Sequence, residues 1–143
     1  MIDVFRGKYS FLSNFYEVPI RYAGIEFGST EAAFQAMKCK HSAERIKFEN
    51  LNPSEAKRLG REIELREDWE EVKDQIMYDI CKQKFSRNED LKIKLIQTGQ
   101  EPIVESNTWH DYYWGQCNGK GLNKLGKILM QIREELFEEV GGV

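Results

Sequence analysis

Cysteine is scarce in this sequence: three residues, Cys39, Cys81 and Cys117, an odd number with no Cys-x-x-Cys pair. That excludes a disulfide framework, and reduced thiols in a cytoplasmic protein are the expectation. Histidine is scarcer still, with only His41 and His110. A zinc centre would need cysteines or carboxylates at no recognisable spacing, so no metal is expected. No apolar run approaches the roughly 18 residues needed to cross a bilayer. Met1 to Gly7 lacks the charged-then-apolar pattern of a signal peptide, and no membrane partner is expected. Positive charge is not in excess either: 21 basic against 24 acidic residues leave a net charge of −3. Bulk-charge coating of nucleic acid is excluded, though a local basic groove is not. The three prolines are scattered, with no linker, repeat or low-complexity tract, so one domain over residues 1–143 is expected.

The residues that are present describe a globular chain, 41% hydrophobic and 31% charged, which argues against disorder. Val18–Tyr22 and Ile25–Phe27 flank Ala23-Gly24 as a hairpin would, with Pro19 suited to an edge. Ser29 or Thr30 can cap a helix that runs through good helix formers to Lys38. Asn52-Pro53-Ser54-Glu55 is a stronger start signal, with a cap, a proline and a glutamate in sequence. Beyond Asp68, the series Val72, Ile76, Ile80 and Met77, Cys81, Phe85 forms one apolar stripe. Asn88-Glu89-Asp90 opens a further helix that ends near Thr98-Gly99, and Pro102–Glu105 reads as a short strand. Leu125, Ile128, Leu129, Ile132 and Leu136 mark a terminal helix that stops before Gly141-Gly142. The expected class is α+β, mostly helical with a few short strands.

Three segments resist explanation as core or solvated surface. Leu12-Ser13-Asn14-Phe15-Tyr16 interrupts aromatics with small polar groups. On the first helix, Glu31, Gln35 and Lys38 fall at i, i+4 and i+7, which puts a carboxylate, an amide and an amine on one face. Spacing alone favours a solvated face of mutually supporting charges there. Trp109 to Gly115 gathers four aromatics around Asp111 and leads into Gly119-Lys120-Gly121-Leu122-Asn123. That segment suits a pocket in which aromatics stack on a flat ring and a helix start receives an anion. An aromatic mini-core closed by a loop is an equal reading. The glycines do not make a Walker P-loop, since Gly115 and Gly119 are one residue too close and Gly121 stands where a Ser or Thr is required. No Gly-x-Gly-x-x-Gly follows a strand, and a Cys117–His110 nucleophile pair has no distinguishing signal.

Over nearly its whole length the chain resembles the NADAR family of YbiA-like N-glycosidases. The resemblance is carried in order by Leu12–Tyr16, Ser29–Lys38, Ala56–Arg61, Trp69 with Val72-Lys73 and Met77, and Lys84-Phe85. It continues through Leu95–Gly99, Val104-Glu105, Asp111–Gly115, Gly119–Gly126 and Leu129-Met130. Where Lys124 stands the family commonly has arginine, a change that keeps the charge and loses the bidentate fork. The resemblance implies a mostly helical α+β domain that cleaves ribose C1′–N bonds without a cofactor. Its substrates would be phosphoribosylamino-pyrimidine intermediates of riboflavin biosynthesis or ADP-ribosylated guanine, free or in nucleic acid. Glu31, Lys38 and Asp111 would be catalytic, with Glu31 and Asp111 converging on one pocket and Lys38 offering a Schiff-base route. Asn14, Phe15, Gln35, Arg61, Trp69, Trp114, Gly115 and Asn123 would bind substrate. Among these, the tryptophans would stack on the base and Arg61 would pair with phosphate. A non-catalytic nucleotide or ADP-ribose sensor is the competing class, and base release separates the two.

Overall fold

Ala23 and Gly24 both adopt positive φ, 52° and 80°, the left-handed pair that a two-residue hairpin turn requires. They join β1 (Glu17–Tyr22) to β2 (Ile25–Ser29), which pair antiparallel with Ile20 opposite Phe27 and Tyr22 opposite Ile25. The register shifts between Glu17 and Ile20, around Pro19, which has no N–H to give the ladder. The computed structural model describes residues 1–141, and its chain divides into two compact units, Asn14–Lys84 and Met1–Ser13 with Phe85–Val143. Five α-helices accompany the hairpin among the described residues, so the class is α+β as expected. None of those helices is long and apolar enough to cross a membrane.

In Asn14–Lys84 the hairpin feeds directly into α1 (Thr30–Ala36), whose cap is Ser29, its hydroxyl accepting from Ala32 N at 3.1 Å. Thr30 is the first helical residue and not the cap. Every residue of α1 is buried. Ala32, Ala33 and Ala36 keep that helix slim enough to pack on β1, β2 and α2 at once. The helix ends at Ala36, two residues short of the expected Lys38. There the chain tightens into i→i−3 bonds, Lys38 N to Gln35 O and Cys39 N to Ala36 O. Backbone pairing with a later segment explains the early stop. Arg66 N donates to Lys38 O, Lys40 N donates to Glu64 O, and Cys39 bridges Leu65. A 3₁₀ segment, Ser42–Phe48, leads to α2 (Pro53–Leu59), which opens on a full capping box. Asn52 and Glu55 exchange side-chain-to-backbone bonds at 2.8 and 2.9 Å. The long helix α3 (Trp69–Ser86) buries Ile76, Met77, Ile80, Cys81 and Phe85, the predicted stripe, with Val72 at its half-buried edge.

In the other unit, Ile2 pairs with Ile103 through Ile2 N to Pro102 O and Val104 N to Ile2 O. The expected strand at Pro102–Glu105 is therefore a single bridge, because the N-terminal segment offers it one residue of pairing and no more. A 3₁₀ segment at Gly7–Leu12 places Phe11 edge-on to Phe85, ring centroids 6.4 Å apart. The helices α4 (Glu89–Gln97) and α5 (Lys124–Glu139) pack together through Leu91, Leu95 and the Leu125–Leu136 stripe. Arg133 is buried among them and donates to Glu101 O and to Thr98 Oγ1, the hydroxyl that in turn donates to Leu95 O at the end of α4. The predicted stop of α5 is met by Val140 and Gly141, while Gly142 lies outside the described residues.

Candidate active site

Seven of the predicted site residues fall in Asn14–Lys84. Asn14 accepts from Glu31 N through its backbone carbonyl at 3.0 Å, and so holds the first turn of α1. Its side-chain amide lies 3.6 Å from Met77 Sδ. Glu31 is 9% exposed and Gln35 is 5% exposed, which overturns the solvated face that spacing suggested. Gln35 Nε2 donates to Glu31 Oε2 at 2.6 Å, a charge-assisted bond within the helix. Lys38 follows just past the helix end, its ammonium 6.0 Å from the centre of the buried Trp69 ring. Trp69 is fixed in turn by Phe34, centroid to centroid 5.0 Å.

Burial pushes the Lys38 amine below its ordinary range, opposed by the Glu31 carboxylate and reinforced by the cations Arg61, Lys57 and Lys73. Three elements converge to produce this. Lys57 and Arg61 come from α2 and the turn after it, one helical turn apart, and Lys73 comes from α3, one turn after Trp69. Lys57 lies 5.9 Å over the exposed Phe15 ring, and Lys73 pairs with Glu70 at 2.7 Å. The roles of Lys57 and Lys73 escaped the sequence reading, although their i±4 spacing from Arg61 and Trp69 was the available signal. Gly60, between them in sequence, was also missed.

Asp111, Trp114, Gly115 and Asn123 fall in the other unit, where polar side chains are engaged with backbone. Asp111 Oδ1 accepts from Tyr113 N and Trp114 N at 3.0 and 2.9 Å, a side-chain-built turn. Asn107 bridges the same loop, accepting from Asp111 N and donating to Asp111 O and Glu105 Oε2. Asn123 stands at φ 52°, accepts from Glu105 N and donates to Ile103 O, both at 3.0 Å. A Cβ on Gly115 would fall on Glu105, so that glycine closes the loop. The first N–H groups of α5 do not await an anion: Lys124 N and Leu125 N donate to Tyr113 O and Trp114 O. The helix start expected to receive an anion is filled by the loop's own carbonyls. Nor do the aromatics form a closed mini-core, because Trp109 is 58% and Tyr112 46% exposed. Cys117 Sγ does lie 3.9 Å from His110 Nδ1, with Tyr112 Oη 3.1 Å from the same nitrogen. A cleft of about 450 Å³ at Glu17, Pro19, Glu26, Phe27 and Glu49 contains none of the predicted site residues.

The fold and these groups define a small α+β protein that sets a buried carboxylate and a half-buried, cation-flanked amine beside an indole. The NADAR domain model matches residues 4–137, and the chain belongs to that family. It is similar to N-glycosidase YbiA of Escherichia coli strain K12, 37% identical over 135 residues, covering 92% of this chain and 84% of that one. A riboflavin biosynthesis protein of Vibrio vulnificus is 35% identical over 135 residues, which span 36% of its length. Among solved structures, the NMR structure of the E. coli protein YbiA superposes with a TM-score of 0.84 at 35% identity. That match covers 98% of this chain and 89% of the other.

Proposed function

We propose that this protein hydrolyses the ribose C1′–N bond of a ribosylated base, with a phosphoribosylamino-pyrimidine as its first substrate class. The observation that carries the reading is the grouping within one unit of buried Glu31, the lowered Lys38 amine and the Trp69 ring. The names of the relatives, N-glycosidase and riboflavin biosynthesis protein, support it.

Breaking the C1′–N bond leaves positive charge on C1′ and the ring oxygen, and the departing base must gain a proton. An ionised Glu31 stabilises that cation. Lys38, in its neutral form, attacks C1′ through Nζ as the C1′–N bond breaks. The ammonium so formed loses a proton, which balances the one gained by the base. Opening of the sugar then gives an imine on Nζ, and water hydrolyses it to return the free sugar phosphate and the amine. A lowered amine pKa raises the neutral fraction at working pH. Trp69 stacks on the base, Phe15 lines the site, and Arg61 pairs with the phosphate. Asn14 serves through the first turn of α1. Asp111, Gly115 and Asn123 shape the loop that carries Trp114 within their own unit.

The test is a panel of phosphoribosylamino-pyrimidines, ADP-ribosylated guanine nucleotides and ADP-ribosylated DNA, assayed for freed base. Release from the pyrimidines is expected, and borohydride should trap a sugar on Lys38. Binding without release at any protein concentration would make the protein a sensor. Release confined to ADP-ribosylated guanine would keep the chemistry and replace the substrate.

A further inference from the structure

Gly60 has no conformational reason to be glycine. Its φ and ψ of −60° and −20° are ordinary helical values open to any residue. What excludes a side chain is contact: a Cβ there would fall on Gln35 Oε1, 2.8 Å from Gln35 Cδ and 3.2 Å from Ala56 O. Gln35 itself is 5% exposed, and its Oε1 has no hydrogen-bond partner among the described residues. The oxygen instead rests against the bare Cα of Gly60, an arrangement that a weak C–H···O contact suits. Buried amide oxygens are normally bonded, so this one is held where it is by something other than its own satisfaction.

The other end of the amide supplies the reason. Nε2 donates to Glu31 Oε2 at 2.6 Å. A carboxylate only accepts, so reversing the amide would set oxygen against oxygen. Seating Oε1 on Gly60 leaves Nε2 aimed at Glu31. The buried carboxylate is thereby held from one side within α1 while its backbone N–H is held by Asn14 O.

We propose that Gly60 and Gln35 form a positioning pair, in which the missing side chain of Gly60 seats the Gln35 amide so that it fixes the Glu31 carboxylate for the reaction at C1′. Gln35 on this account acts through Glu31 and not on the substrate. The proposal rests on the glycosidase reading, and its test separates the two.

Four variants, Gln35→Met, Gln35→Ala, Gly60→Ala and the double variant Gln35→Ala/Gly60→Ala, are compared on whichever panel substrate the wild type turns over. Gln35→Met keeps the volume and removes the donor. It should lower kcat by about 10–100-fold with KM changed less than about threefold, as displacement of a catalytic group does. Gly60→Ala should do the same in the wild-type background. Placed on Gln35→Ala, where the space is vacated, it should lower kcat less than about twofold further. Melting curves establish that each variant is folded, and Gln35→Met decides the matter alone if Gly60→Ala does not fold. Equal losses from Gly60→Ala in both backgrounds, or a loss carried in KM by Gln35→Met, overturns the pair while leaving the glycosidase intact. A wild type that frees no base sinks the glycosidase reading and the pair with it.

Discussion

The two units handle their polar side chains in opposite ways. In Asn14–Lys84, Glu31, Gln35 and Lys38 are tied to other side chains, and two buried amide oxygens, on Gln35 and Gln83, have no hydrogen bond among the described residues. In the other unit, Asn107, Asp111, Asn123 and Arg133 give their bonds largely to backbone, and the result is a closed loop and a finished helix end. Satisfied backbone groups make a scaffold, whereas unsatisfied or displaced ones hold free energy that a substrate can release. On the proposed reading, the first set carries the chemistry and the second the shape. The sharpest way to break that division is to delete one member of each. Glu31→Ala and Lys38→Ala should each cut turnover by about 10²–10⁴-fold with the melting temperature nearly kept. Full turnover in folded Glu31→Ala would remove that carboxylate from the mechanism.

Asn123→Ala should show the converse, a stability loss of about 2–4 kcal/mol in chemical denaturation. Glu105 N and Ile103 O would lose their partner, and alanine tolerates the φ of 52° less well than asparagine does. A loss below about 0.5 kcal/mol would show that the loop does not depend on it.

How much of this contrast was visible beforehand follows from which forces are local. The hairpin turn at Ala23-Gly24, the Asn52–Glu55 capping box and the α3 stripe were legible, because each depends on neighbours in sequence. The early end of α1 was not, since Arg66 draws Lys38 O into a backbone bond from 28 residues away. The 3₁₀ segments Gly7–Leu12 and Ser42–Phe48 carry no periodicity long enough to read. In the site, the i, i+4 spacing found Glu31 and Gln35, yet their burial reversed the meaning of that spacing. Asp111 and Asn123 were singled out as residue types, but their use as backbone partners depends on loop geometry that composition does not encode.

Lys84 sharpens the comparison from inside the first unit. It is 1% exposed, lies 5.6 Å over the Tyr16 ring, and burial pushes its amine down to about 8. The unfolded chain then holds a proton that the folded one gives up, so stability contributed through Lys84 rises as pH climbs from about 8 toward 10.5. Cys81, one turn earlier, works the other way above pH 9, because burial pushes its thiol up to about 12. The clean window is therefore pH 8–9. Across it the wild type should gain about 1 kcal/mol relative to Lys84→Met, in which Cys81 is unchanged. Parallel stability curves for the two proteins would mean that Lys84 carries its charge equally in both states.

The smallest expected effect tests whether Arg61 belongs to the chemical set. Its cation lowers the Lys38 amine together with Lys57 and Lys73, while Glu31 raises it and burial does most. Arg61→Gln should therefore move the limb of kcat/KM that reports neutral Lys38 to higher pH, because more alkali is needed to remove the proton. Arg61 is exposed, so screening keeps the shift small, and added salt should mimic it in the wild type. Lys120→Gln, a charge change in the other unit, is the control and should leave the limb in place. A limb that responds to neither substitution nor salt would leave burial as the sole cause of the lowered amine and confine Arg61 to phosphate binding, where its loss appears in KM.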